Sequence, residues 1–248
     1  SRRLRECRSR CRNSADNQMI TETIIRLHKE LPATVKLVAV SKFHPFEAIV
    51  QAYEAGQRIF AESRPQELLA KVKRLEEIRA ERGDSTYMSD IQWHFIGHLQ
   101  TNKLKMVLPY VSLIQSVDSL RLLAAINSWG QANGKILNVL LEPHVASEET
   151  KQGFSPEEIV DIISEAERFE SICFKGLMGM ATYTEDESVI RSDFARIADL
   201  RSEILNAFPT LADDFTELSI GMSDDYPIAI EYGSTMVRIG SMIFGSRV

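Results

Sequence analysis

The sequence predicts an α/β fold built as a single closed (β/α)8 barrel. Three observations carry that expectation. Strand-like and helix-like segments alternate from residue 36 onward, eight strands each run into a helix or a helical tail, and the strands are apolar enough to be covered on both faces. Parallel strands joined by right-handed helical crossovers satisfy all three, and eight of them in 248 residues give the TIM-barrel architecture. An open doubly wound sheet is the alternative. It usually has fewer strands and a glycine-rich first turn, whereas "SKFHPF" after the first strand contains no glycine.

A first helix is expected over about 20–31. "KLVAVS" (36–41) reads as the first strand, and "PFEAIVQAYEAG" (45–56) as a helix opened by proline and closed by glycine. "RIFA" (58–61) is the second strand, "RPQELLAKVKRLEEIRAE" (64–81) a long amphipathic helix and "RGDSTYMSD" (82–90) a polar loop. "IQWHFIG" (91–97) then pairs with the short helix "TNKLKMVL", and "VSLIQSV" (111–117) with "SLRLLAAINSWGQAN". "ILNVLLEP" (136–143) precedes "PEEIVDIISEAERF", and "FKGLMGM" (174–180) precedes "SVIRSDFARIADLRSEILNAF". "ELSIGM" (217–222) with "DDYPIAIEYG" forms the seventh unit, and "VRIG" (237–240) with "SMIFGSRV" the eighth.

Charge is unevenly spread. Residues 1–18 hold six arginines against Glu6 and Asp16, a balance of +4, so the remainder carries −10 of the net −6. This segment is expected to be a leader, vector-derived or disordered, ahead of one domain over 19–248. The acidic body argues against nucleic acid as a partner, and the lysines of "AKVKRLEEIRAERG", interleaved with glutamates at helical spacing, read as a solvated face. No apolar run reaches the 18 to 20 residues or so that a membrane helix needs. Cys7 and Cys11 fall in the leader and Cys173 stands alone in the body, which disfavours a disulfide framework and fits a reducing cytoplasm. His94 and His98 are four apart, but on a strand ending in glycine they do not share a helical face, so zinc ligation is not expected.

Barrels of this type build their sites at the carboxyl ends of the strands. There the ring contains one primary amine, Lys42, directly after the apolar run Val38-Ala39-Val40 and Ser41. Desolvation of an ammonium is costly, so the lysine either snorkels into water or is wanted at the barrel mouth as a nucleophile. Gly221-Met222-Ser223 and Gly240-Ser241 follow the last two strands, and small residues with hydroxyls and open backbone amides at these places suit a phosphate. Together they point to a phosphorylated carbonyl compound, either pyridoxal 5′-phosphate or a sugar phosphate. Arg238, on an otherwise apolar strand, pairs with Glu62 or Glu142 or else faces a pyridine nitrogen, which it would keep unprotonated.

The blocks "LVAVSK", "AYEAGQRIFAES", "WHFIGHLQTNK", "SVDSL", "GLMGM", "LSIGMSDD" and "GSTMVRIGSMIFGSR" run in order from about 36 to 247. In these the chain resembles the pyridoxal phosphate homeostasis proteins, relatives of the N-terminal domain of alanine racemase. The resemblance implies the fold type III barrel of pyridoxal-phosphate proteins without the β domain of alanine racemase. It implies that Lys42 forms the internal aldimine with pyridoxal 5′-phosphate, that Ser223, Gly240 and Ser241 hold the phosphate beside Met222, and that Arg238 lies near the ring nitrogen. The role implied is cofactor binding and balance of vitamin B6 and amino-acid pools in the cytoplasm, by a monomer that hands cofactor to pyridoxal-phosphate-dependent apoenzymes, without strong catalysis. Racemisation would need a second acid or base, supplied by a tyrosine of another domain in the racemases; Tyr183 and Tyr226 are the local substitutes to consider. A lysine-dependent aldolase is the third reading.

Two departures from the family pattern stand out. Where glycine-glutamate-asparagine is usual after the second strand this chain has Ala61-Glu62-Ser63, leaving Ser63 as the candidate contact there. Where glutamine-valine-asparagine is usual after the fifth, it has Glu142-Pro143-His144, before a more familiar Glu148-Glu149 and Lys151-Gln152-Gly153.

Overall fold

The computed structural model describes the backbone of residues 2–147 and 152–246 and the side chains of 14–147 and 152–246. Cys7, Cys11, the leader arginines, Glu148, Glu149 and Lys151 therefore have side chains outside the described residues.

Eight parallel strands close into a barrel in sequence order: β1 (Lys36–Val40), β2 (Ile59–Glu62), β3 (Gln92–Phe95), β4 (Val111–Val117), β5 (Leu137–Leu141), β6 (Ile172–Met178), β7 (Glu217–Ser219) and β8 (Met236–Ile239). Pairing of β8 with β1, Lys36 to Met236 through Ala39 to Ile239, completes the ring. Helices α1 (Arg2–Glu30), α2 (Phe46–Glu54), α3 (Pro65–Arg82), α4 (Leu104–Val107), α5 (Leu120–Asn133), α6 (Pro156–Ser164), α7 (Glu187–Ala207), α8 (Tyr226–Glu231) and α9 (Ser241–Phe244) surround it. The first helix differs from expectation, because it begins at Arg2 and runs unbroken through the arginine-rich segment into the domain. Arginine is a good helix former, and Ile20, Ile24 and Leu27 give the helix its buried stripe, packed against α2 and α9. No helix among the described residues is long and apolar enough to cross a membrane.

Strand alternation sorts side chains into two layers. Val38, Val40, Ala61, Leu113, Leu140, Met178 and Met236 fill the barrel interior. Leu37, Ala39, Phe60, Trp93, Phe95, Ile114, Val139, Leu218, Val237 and Ile239 face the helices in a larger core. The same parity sends Lys42 and Arg238 toward the barrel axis, and Ser41 and Glu62 outward.

One close approach fixes the upper rim. A Cβ on Gly97, just past β3, would lie 2.0 Å from the carbonyl oxygen of Ser63, just past β2, so the two strand ends touch through backbone alone. Gly97→Ala is expected to destabilise the barrel by at least about 2 kcal/mol, because backbone and not a flexible side chain must yield. Urea unfolding of the two proteins checks this; equal stabilities would show that the rim is looser than described.

Candidate functional site

A cavity of about 440 Å³ opens at the carboxyl ends of the strands, and Lys42, Ser63, Met222, Ser223, Arg238, Gly240 and Ser241 all line it. The candidate residues, drawn from β8 and from the segments after β1, β2, β7 and β8, are thus brought to one place. Val40, Phe43, His44, Ile96 and Met178 complete much of the wall. Lys42 is half-buried and is the one primary amine among the lining residues. His44 stacks on Phe244 with ring centroids 5.2 Å apart, and burial, helped by the charge of Lys71, holds its pKa below the usual value. It faces the cavity as a neutral ring at neutral pH.

Lys42 shares the cavity with the loops after β7 and β8. The backbone amides of Ser223, Gly240 and Ser241 have no acceptor among the described residues. The Met222 amide is different, since it donates to Asp225 Oδ1 at 2.7 Å and closes the turn ahead of α8. Gly221 in that turn has φ +103°, and a Cβ on it would lie 2.7 Å from that of Ala229, so only glycine fits. Two serine hydroxyls, open amides and a primary amine across about 440 Å³ suit a small phosphorylated aldehyde in size and chemistry.

Arg238 is 4% exposed and makes no ion pair with Glu62 or Glu142. Its Nη1 donates to the carbonyl oxygen (2.8 Å) and to Oγ (2.7 Å) of Ser219, and Nη2 to the carbonyl oxygen of Gly179 (2.9 Å). Burial lowers its pKa to about 10, so it stays charged at neutral pH. A guanidinium can only donate, which sets the direction of every bond behind it. Ser219 Oγ, accepting from Arg238, must give its own proton to Gln115 Oε1 at 2.6 Å. Gln115 Nε2 is thereby turned toward His94 Nδ1 at 2.8 Å and donates to it, leaving the His94 proton on Nε2. His94 is buried and its pKa is driven down to about 3, chiefly by burial, in agreement with a neutral ring.

Ser219, Gln115 and His94 were not among the sequence candidates. Their signal was parity, since each alternates with an outward apolar neighbour and so lies on the barrel-facing side of its strand. His98, by contrast, is exposed and lies 3.7 Å from Asp118, apart from His94 as expected. A second correction concerns α3. Lys71 is 6% exposed, between Leu68 and Val72 on the buried stripe, and not on a solvated face. Glu62 Oε1 and Glu67 Oε1 both accept from it, and Glu62 is fully buried.

The altered residues after β5 occupy a neighbouring cavity of about 860 Å³, which shares Met180, Met222 and Asp224 with the first. Glu142, Pro143 and His144 line it, as does Tyr183, which is 96% exposed. Tyr226 heads α8; neither tyrosine lines the Lys42 cavity. Burial, with Asp118 adding repulsion, raises the Glu142 pKa to about 7 against a smaller opposing pull from Arg238. A carboxyl whose folded pKa is raised contributes stability below its usual pKa near 4.5, and that contribution fades as pH climbs to 7. Glu142→Gln, which never ionises, should match the parent protein at pH 4 and melt about 2–4 °C above it at pH 8. Melting curves at both pH values check this, and an unchanged or lower midpoint at pH 8 would show that the ionised carboxylate is well solvated.

The family model described as "Alanine racemase, N-terminal domain" matches residues 16–248. The pyridoxal phosphate homeostasis protein of Haemophilus influenzae is 35% identical over 230 residues, covering 93% of this chain and 92% of its own. The human protein of the same name is 37% identical over 245 residues, covering 96% and 86%. The structure of PipY from Synechococcus elongatus with PLP bound superposes with a TM-score of 0.80 at 33% identity, over 91% of this chain and all of the other. The alanine racemase of E. faecalis shares the fold, with a TM-score of 0.64 at 17% identity over 94% of this chain and 60% of its own. The chain therefore belongs to the pyridoxal phosphate homeostasis proteins, within the family of the alanine racemase N-terminal domain.

Proposed function

We propose that this protein binds pyridoxal 5′-phosphate in the Lys42 cavity as a lysine aldimine and holds it for use elsewhere in the cytoplasm, as a monomer supplying pyridoxal-phosphate-dependent apoenzymes. The observation that carries the reading is the convergence of the lysine, the two serines with their open amides and the buried arginine on one cavity. The PLP held by PipY, a relative with the same barrel, supports the same cargo. In the covalent step the Lys42 nitrogen attacks the aldehyde carbon, the C–O double bond gives way to C–N, and the oxygen leaves as water with the amine's protons. Ser223, Ser241 and the neighbouring amides donate to the phosphate, with Met222 and Ser63 at the edge of the site.

Arg238 fits storage better than turnover. A guanidinium that keeps its charge does not protonate a ring nitrogen, which leaves the ring a weak electron sink and spares the bound compound from amino-acid chemistry. Weak racemisation is the alternative; with Tyr183 and Tyr226 outside the cavity, it would need an acid or base from another source.

The test is an absorbance spectrum with added pyridoxal phosphate, then borohydride reduction and peptide mapping. A visible imine band and a reduced adduct confined to Lys42 are expected. Lys42→Ala should lose both, and Ser241→Ala should weaken binding by roughly tenfold. Label spread over surface lysines would overturn the reading and leave Lys42 a snorkelling strand end, and a colourless protein that is trapped instead by an aldehyde sugar phosphate would favour the aldolase.

A further inference from the structure

The backbone on either side of Lys42 is held from outside the barrel. Lys71 of α3 donates to three acceptors: the carbonyl oxygen of Ser41 at 2.8 Å, Glu67 Oε1 at 3.0 Å, and Glu62 Oε1 in a short contact. An ammonium has three protons, so this inventory is complete with Lys71 charged. Glu67 Oε1 also accepts from the backbone amide of Phe43 at 2.5 Å. Ser41 Oγ donates to Glu62 Oε1 at 2.7 Å. The residue before Lys42 is thus gripped at its carbonyl and its hydroxyl, and the residue after it at its amide.

The grip acts on a backbone that needs it. Phe43 has φ +66°, a left-handed conformation that is unfavourable for a bulky side chain and persists where the surroundings enforce it. The guanidinium of Arg64 lies 4.5 Å from the centre of the Phe43 ring and adds a second restraint. The network also explains a costly burial. Glu62 is fully buried, its Oε2 has no hydrogen-bond partner among the described residues, and desolvation raises its pKa despite Lys71. Packing alone gives no reason to place such a group at the end of β2, where an apolar residue would serve a core.

We infer that Glu67 and Lys71, with Glu62 as the buried counter-charge, are positioning residues that turn the chain at Phe43 and so direct the Lys42 amine into the cavity. The inference rests on the proposed role of Lys42, and it concerns how fast that amine is presented to an aldehyde, with the amine itself supplied only by Lys42. Glu67 is the member to vary, because it keeps some contact with water, whereas loss of Lys71 would strand a buried carboxylate.

Two readouts test it. The first is hydrogen exchange at the Phe43 amide in the protein without added ligand. The second is the rate at which pyridoxal phosphate is captured at Lys42, trapped by borohydride and mapped by mass spectrometry. Glu67→Ala should speed Phe43 exchange and slow capture by roughly tenfold or more, while Glu67→Gln, whose amide oxygen can still accept from Phe43, should keep both near the parent values. If Glu67→Ala does not fold, Glu67→Asp, one methylene short of the amide, takes its place with the same expectation. Unchanged exchange in the short-chain variant, or faster exchange with an unchanged capture rate, would overturn the inference. If the parent protein takes no label at Lys42, the proposed function fails, and the grip on Phe43 is still decided by exchange alone.

Discussion

The charge of Arg238 is the constraint on which the interior depends. Burial lowers its pKa only to about 10, so a full positive charge sits inside the barrel at neutral pH with no carboxylate bonded to it. Such a charge is tolerable when carbonyl oxygens and a hydroxyl replace water around it, as those of Ser219 and Gly179 do. Because the guanidinium cannot accept, it orders the donors and acceptors from β8 through β7 and β4 to β3, ending on a neutral His94. A protonated His94 would carry a proton on Nδ1, set donor against donor at Gln115 Nε2 and break the sequence, and its burial prevents this. The arginine that faces the cavity is therefore held by a line of polar groups with a single consistent pattern of protons.

The site has two sides, and strand parity divides the work between them. Facing inward are Lys42 and Arg238 with the polar line behind the latter; facing outward are Ser41 and Glu62, which meet α3. A residue at the end of a strand can point its side chain into the mouth while its neighbours are tied to the helix layer. This is how a barrel fixes a nucleophile without filling the space the nucleophile must reach. The Gly97 contact with Ser63 contributes to the same end, because it closes the rim between β2 and β3 with backbone alone.

Much of this is legible in the sequence, for physical reasons. Doubly apolar strands at regular spacing leave few architectures open, and the strand ends then name the candidate ring; Lys42, Arg238 and the serines follow from that. What is not legible depends on partners distant in sequence. Lys71 looks like any lysine in a charged helix until its place beside Leu68 and Val72 is weighed above its glutamate neighbours. Gln115 and Ser219 are ordinary strand residues 104 positions apart, joined only once the barrel closes. The extension of α1 to Arg2 escapes a reading based on apolar pattern, because arginine favours helix by intrinsic propensity.

The departures from the family pattern fall unequally on this scheme. Ser63 lines the Lys42 cavity, so the second-strand change replaces an amide by a shorter hydroxyl within the site itself. The fifth-strand change lies one cavity away, and its reach toward the site is electrostatic. Glu142 acts on Arg238 through the field, and because its pKa lies at about 7 the interaction is weak in acid and grows as the carboxyl ionises. An ionised Glu142 offsets part of the positive charge that Arg238 lends the cavity, while a protonated one leaves that charge whole. A glutamine at that place would leave it whole at every pH. The altered loop therefore sets beside the Lys42 cavity, and not in it, a carboxyl whose charge is felt at Arg238.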